Sequence, residues 1–397
     1  MILILLIICF LVIIRMELKG FSTKCIHGGE EGKYEFDVIP PIHLSSTYQL
    51  KYEDQDFVYS RVDNPTRRVL EDKMTVLEKG VASLAFSSGI AAISTVVLSF
   101  VKPGEEVILS EDIYGGTKTL FMEVLSKRGI KYKYVDTRYA DRLEDEISGD
   151  TRLIMIESPS NPMMRITDIK RVSEIAHRHG LKVAVDNTFA SPYLQNPIEL
   201  GADITIHSAT KYLGGHSDII AGTATFKSME DYELVKLHRT RLGGVLSPFD
   251  SYLLLRSIKT LEVRMERHCK NAMEIAEYLS KHPKVEDVLY PFLKSFPQYD
   301  LARSQMRLGG GMISFKLYTD DQDKVDAFLN SLSIMKKAVS LGGVETLIEQ
   351  PATMTHKALP DEEKERLGIT PGLIRLSVGI ENVEDLISDL ENALRNI

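Results

Sequence analysis

Several things are scarce or missing in this sequence, and each absence excludes something. There is no excess of positive charge: 48 basic against 56 acidic residues leave a net charge of −8. No basic stripe runs along the chain, so neither nucleic acid nor an anionic membrane is expected as its main partner. Cysteine is rare. Cys9, Cys25 and Cys269 are odd in number and far apart, which excludes a disulfide framework or a metal-ligand spacing and suits a reducing, cytoplasmic setting. Neither G-x-G-x-x-G nor G-x-x-x-x-G-K-[ST] occurs, which argues against a dinucleotide-binding oxidoreductase or an NTPase. His177 and His179 lack a third ligand and read as solvated cations near a helix C-terminus. No Asn-X-Ser/Thr sequon without proline is present, and nothing supports secretion.

The one long apolar run is Ile2 to Ile14, closed by Arg15. It is short for a membrane span and has neither a basic flank before it nor a small-residue cleavage site after it. We read residues 1–15 as an extension ahead of the functional protein, with Met16 as its start, and expect no stable membrane association.

What is present is an ordinary globular composition, 44% hydrophobic and 26% charged, over 397 residues. That length predicts two domains. Residues 16–60 show little periodicity and contain the breakers His27-Gly28-Gly29 and Pro40-Pro41, so they read as an extended arm of the kind that embraces a neighbouring subunit. A first domain is expected over 61–250 and a second over 251–397. In the first, short apolar strands (82–86, 106–109, 153–156, 182–185 and 204–207) alternate with helical patterns at 90–100, 118–128 and 168–179. Apolar strands separated by helices predict an α/β fold with a mostly parallel sheet covered on both faces and ligands at the strands' carboxyl ends. In the second, residues 252–279 read as one long helix. Strands near 285–290, 312–316, 338 and 374 then predict a smaller α+β domain.

The chemistry gathers at strand ends. Lys211 follows the strand ending at His207, between Ser208 and Thr210 on one side and Gly214-Gly215 on the other. A lysine in such a turn either snorkels to solvent or is used chemically, above all as a Schiff base with an aldehyde cofactor such as pyridoxal phosphate. Asp186 closes the strand Lys182–Val185, where a carboxylate either caps or pairs locally or else meets a protonated pyridine nitrogen. Ser87-Ser88-Gly89 stands before a helix, whose free N–H groups and partial positive charge suit a phosphate. Ser208 and Thr210 offer two hydroxyls to the same group. Tyr114 either packs or stacks on a flat ring.

Taken together, Ser208–Asp218, Val185–Phe189, Tyr59-Ser60-Arg61, Glu157–Pro162 and Val339–Leu347 resemble the cysteine/methionine-metabolism family of pyridoxal-phosphate enzymes, in order from Thr23 to the C-terminus. The resemblance implies an aspartate-aminotransferase-like (fold type I) architecture. It implies Lys211 as Schiff-base lysine and general base, Asp186 as ring partner and Tyr114 as stacking residue. Ser88, Gly89, Ile90, Ser208 and Thr210 are similar to a phosphate cradle, with Tyr59 and Arg61 reaching a neighbour's phosphate. Arg375, with Ser340 and Asn161 beside it, resembles the grip on a substrate carboxylate, and Val339 stands at the substrate pocket. The function implied is trans-sulfuration at the γ-carbon of a C4 amino acid, of the cystathionine γ-synthase or γ-lyase kind. Methionine γ-lyase or O-acetylhomoserine sulfhydrylase is the alternative. The implied partners are small amino acids and further copies of the chain, as a homotetramer made of two dimers with shared sites. Two positions depart from the family's subgroups. Gly116 replaces the cysteine of methionine γ-lyases, which is expected to leave room in the pocket for the leaving or incoming thiol, and Val339 replaces the glutamate of γ-lyases or the aromatic residue of β-lyases.

Overall fold

The computed structural model describes residues 18–397, apart from residues 31, 33, 35, 52–54 and 358. The apolar stretch 1–15 lies outside the described residues.

Seven strands form the larger sheet: β1 Ala82–Phe86, β2 Glu106–Ser110, β3 Lys131–Val135, β4 Thr151–Glu157, β5 Lys182–Asp186, β6 Ile204–Ser208 and β7 Gly222–Phe226. Their order is β1-β7-β6-β5-β4-β2-β3, parallel except for β7, which runs antiparallel to both neighbours. This is the mostly parallel α/β sheet expected. In β4 the side chains alternate between two cores: Leu153 and Met155 pack on one face, Ile154 and Ile156 on the other. That two-sided burial is why the strand is a continuous apolar run. Two strands escaped the sequence. β7 is Gly-Thr-Ala-Thr-Phe, which has no apolar run, and β3 is an edge strand of alternating Lys and Tyr.

The expected helix at 118–128 is instead an α-helix Gly115–Leu120, a π turn Phe121–Leu125 and a 3₁₀ turn Ser126–Arg128, stopped by Gly129 at φ 83°. The long helix expected over 252–279 is also two: Pro248–Ile258 and Leu261–Leu279. Arg264 holds the break. Its Nη2 donates to Ser257 O at 3.0 Å, its Nε to Thr260 Oγ1 at 3.3 Å and its Nη1 to Tyr212 O at 2.7 Å. The apolar and charged pattern runs unbroken through Lys259-Thr260, so only this tertiary tie reveals the stop.

The smaller sheet holds β8 Val285–Leu289, β9 Met312–Leu317, β10 Lys336–Lys337, β11 Leu347–Glu349 and β12 Leu373–Ser377, in the order β10-β11-β12-β9-β8. The strand expected near 338 ends at Lys337, and the three-residue β11 was not expected. Helices Leu261–Leu279 and Val383–Leu394 pack against this sheet around Phe315, Phe328, Ile374 and Leu390.

Candidate active site

The carboxyl ends of β4, β5 and β6 bring Glu157, Asp186 and Ser208 side by side, with Glu157 and Asp186 direct partners in register. The chain then turns sharply. Lys211 N donates to Ser208 O at 3.1 Å, Gly214 N to Ala209 O at 2.8 Å and Gly215 N to Lys211 O at 2.7 Å. Gly215 stands at φ 69°, and a Cβ there would lie 2.1 Å from Nη1 of Arg264. Only glycine allows the turn and the arginine together. The turn sends Lys211 Nζ into a cavity of about 300 Å³, where it donates to Ser340 Oγ at 2.7 Å. Burial, and then the positive charge of Arg375, lower the Lys211 ammonium to about 8.

Asp186 is buried, and its Oδ1 accepts Thr188 N at 3.1 Å and Thr188 Oγ1 at 2.5 Å. Burial raises its pKa, while the Thr188 bonds and His207 pull it back. Burial raises Glu157 further, and the Asp186 charge adds to it. On the next side of the cavity, Ser88 caps the helix Gly89–Phe100 by accepting Ala91 N at 3.1 Å. The N–H groups of Gly89 and Ile90 find no acceptor among the described residues. A Cβ on Gly89 would sit 2.9 Å from Ser208 Cβ, so helix and strand end meet as closely as glycine permits. Thr210 Oγ1 bonds Ala221 O at 3.2 Å and accepts Ala221 N at 3.0 Å.

The opposite wall comes from the smaller sheet. Arg375, buried on β12, donates to Asn161 Oδ1 at 2.9 Å and to Ser340 O at 2.8 Å, and pairs with Glu349 Oε1 at 2.9 Å. Its Nε is buried without a partner. Burial lowers the Arg375 pKa and raises that of Glu349, and each charge moderates the other's shift. Ser340 sits at φ 86°, a left-handed conformation costly for a side-chain-bearing residue, held by its contacts to Lys211 and Arg375. Val339 is half exposed at the cavity.

Tyr114 lines the same cavity, with its backbone N–H bonded to Glu157 Oε2 at 2.7 Å. Gly116 does not line it. A Cβ there would lie 2.4 Å from the Tyr114 ring, so the space left by the missing side chain is filled by that ring rather than by substrate room. Tyr59 and Arg61 also stand outside the cavity. The Arg61 guanidinium lies 5.5 Å from the centre of the Tyr59 ring and donates to Thr240 O at 2.6 Å. His177 and His179, expected to be solvated, meet Asp203 and Glu144 at 2.9 and 2.6 Å. Among the polar cavity residues, Glu157, Thr188 and Thr355 were given no site role from the sequence, nor was Glu349, which pairs with Arg375 behind the cavity. For Glu157 a signal existed, since it ends an apolar strand as Asp186 does.

A mostly parallel sheet with a lysine and an aspartate at its carboxyl edge, facing an arginine from a second sheet, defines a fold type I enzyme that uses pyridoxal phosphate. Residues 22–395 match the family described as Cys/Met metabolism PLP-dependent enzyme, and the chain belongs to that family. It is similar to a cystathionine beta-lyase of Lactococcus lactis subsp. cremoris (strain MG1363), 48% identical over 380 residues covering 95% of this chain and 99% of the relative. An L-methionine gamma-lyase of Porphyromonas gingivalis is 44% identical over 393 residues, 96% of this chain and 98% of that one. Among solved structures, a cystathionine gamma-lyase from Lactobacillus plantarum complexed with L-serine superposes with a TM-score of 0.92 at 41% identity, covering 96% of this chain and 99% of the other. The chain is therefore a pyridoxal-phosphate-dependent trans-sulfuration enzyme with small amino-acid substrates. No helix among the described residues is long and apolar enough to cross a membrane.

Proposed function

We propose that the enzyme acts at the γ-carbon of a C4 amino acid, as cystathionine γ-synthases and γ-lyases do. The observation that carries this reading is the convergence of Lys211, Asp186 and Arg375 on one cavity of about 300 Å³. The residues present fit pyridoxal phosphate. Gly89 and Ile90 have free N–H groups, Ser208 Oγ has no partner among the described residues, and Asp186, whose Oδ1 is taken by Thr188, has its other carboxylate oxygen left for a protonated ring nitrogen in the cavity it lines. Ser88, Thr210 and Tyr114 complete the holding set, together with Tyr59 and Arg61 from a second copy. Bound there, the cofactor supplies an electron sink for charge developing at the substrate's carbons.

The chain's own residues then divide the work. Arg375 takes the substrate carboxylate, planar fork against planar group, with Asn161 and Ser340 fixing its direction. Lys211 Nζ, already lowered to about 8, can take a proton from Cα and then from Cβ, the two removals that γ-chemistry requires. Val339 gives the thioether side of the cavity an apolar wall, which accepts methionine-like and cystathionine-like chains alike. A cystathionine β-lyase is the second reading, favoured by the Lactococcus lactis relative at 48% identity.

Incubating the purified protein with cystathionine, with methionine, and with O-acylhomoserine plus cysteine tests both. The γ reading expects 2-oxobutanoate from cystathionine, slower release from methionine, and cystathionine from the third mixture. Pyruvate as the only keto acid would replace it with the β reading.

The working form we propose is a cytoplasmic homotetramer built from two dimers, with a cofactor-binding domain over 61–250 and a C-terminal domain over 251–397. The arm exposes Phe36, Val38, Leu44 and Leu50, an apolar set that a second copy would cover. Arg61→Ala and Lys211→Ala proteins, each nearly inactive, should regain part of the activity when refolded together. No recovery in mixed dimers shown to form would place the site within one chain.

A further inference from the structure

Glu157 ends β4 inside the cavity wall, and neither of its carboxylate oxygens faces solvent freely. Oε2 accepts Tyr114 N at 2.7 Å, and Oε1 accepts Asn161 N at 3.0 Å. Asn161 in turn accepts Arg375 Nη1 at 2.9 Å through Oδ1. One carboxyl group therefore closes an unbroken hydrogen-bonded path from the Tyr114 loop on one wall to the Arg375 guanidinium on the other.

We propose that Glu157 is a positioning residue that sets the distance and angle between Tyr114 and the Asn161–Arg375 grip, and so determines how tightly an amino acid's carboxylate is held. The path suits this task for three reasons. Glu157 ends an interior strand of the sheet, paired with Asp186 in register and with its own N–H bonded to Ser110 Oγ at 3.2 Å, so its backbone has little freedom. Both clients use backbone N–H groups, so a shift of the carboxyl group moves whole loops rather than single rotamers. Asn161 also has few alternatives, because it and Arg375 are both buried and a broken bond there would leave a polar group without a partner.

A glutamine at 157 has the same shape but presents one acceptor oxygen and one donor group. It can serve one of the two N–H groups and must oppose the other. This separates a shared acceptor from a space-filling side chain.

The proposal rests on this cavity being the amino-acid site, and the test keeps the two apart. Holoenzyme would be titrated with L-alanine, which has no γ leaving group, while the absorbance of the bound cofactor is followed. Glu157→Gln is expected to keep the cofactor absorbance and the Tm of wild type while binding L-alanine about tenfold more weakly, the scale of one lost buried hydrogen bond. Asn161→Ala, which cuts the path at its other end, should reproduce that loss. In an Arg375→Ala background, Glu157→Gln should add little, because the group through which it acts is gone. The proposal is overturned if Glu157→Gln binds L-alanine as wild type does, or if its effect is the same with and without Arg375. A parallel fall in Tm, cofactor absorbance and affinity would likewise reduce Glu157 to a structural residue. A wild-type holoenzyme whose absorbance ignores every amino acid would instead remove the site assignment itself.

Discussion

The cavity has two walls of different construction. On the wall built from the larger sheet, three of the polar groups are held by their near neighbours in sequence. Asp186 is fixed by Thr188 and Ser88 by the helix it caps, while Lys211 sits in a turn that closes on itself. On the wall that includes the smaller sheet the ties are long. Lys211 meets Ser340 across 129 residues, and Arg375 meets Asn161 across 214. Those three groups need only strand register and local turns, while Glu157 on the same wall also needs the Tyr114 loop, 43 residues away. The second wall needs both sheets packed in place, a serine in a strained conformation and a buried ion pair between Arg375 and Glu349. On the proposed assignment, anchoring a resident group and gripping a passing one fall to regions with different mechanical support.

The sharpest way to break this contrast is at the first wall. Lys211→Ala should lose the yellow absorbance of the bound cofactor, and turnover should fall by about a thousandfold or more, since the amine serves both as anchor and as base. A colourless wild type with full activity would end the assignment. Asp186→Asn should leave the fold intact and lower kcat by about a hundredfold or more, the scale of a buried charge left without its partner. Circular dichroism and steady-state rates read the two effects separately.

At the second wall the change should appear in binding before chemistry. Arg375→Lys keeps a charge but not the planar fork, so KM for amino-acid substrates should rise about ten- to a hundredfold with a smaller fall in kcat. A fall in kcat alone would mean that the grip is not on the substrate. Val339→Glu adds a carboxylate near the distal ammonium of cystathionine. The ratio of cystathionine to methionine cleavage should rise about tenfold. An unchanged ratio would show that this wall does not read the distal group.

The smallest expected effect concerns pH. Burial lowers Lys211 from its ordinary 10.5 to about 8 in the folded, cofactor-free chain. Between those values the unfolded chain binds more protons than the folded one, so this group makes stability increase as pH rises. The Tm of cofactor-free wild type minus that of Lys211→Ala should therefore grow from pH 8 to pH 10. A flat difference would mean that the amine is not desolvated.

How much of this was legible depended on distance along the chain. Lys211 and Asp186 could be read because an ionisable residue at the end of an apolar strand conflicts with its surroundings, and that conflict is local. Glu157 shows the same conflict, but its partners Tyr114 and Asn161 lie on loops whose meeting no spacing announces. Gly116 shows the opposite error. A missing side chain reads as room in a pocket, and the packing gives that room to the Tyr114 ring.

The sequence by itself determined the alternation of apolar strands and helices, the chemistry at the ends of β5 and β6, and the family, because periodicity and strand-end polarity act over a few residues. Only the tertiary structure decided the rest: the reversal of β7, the break at Lys259-Thr260 under Arg264, the strained Ser340 and the pairing of Arg375 with Asn161 and Glu349. Each of these depends on a buried polar group finding a partner far away in the chain, and no local pattern records where that partner will be.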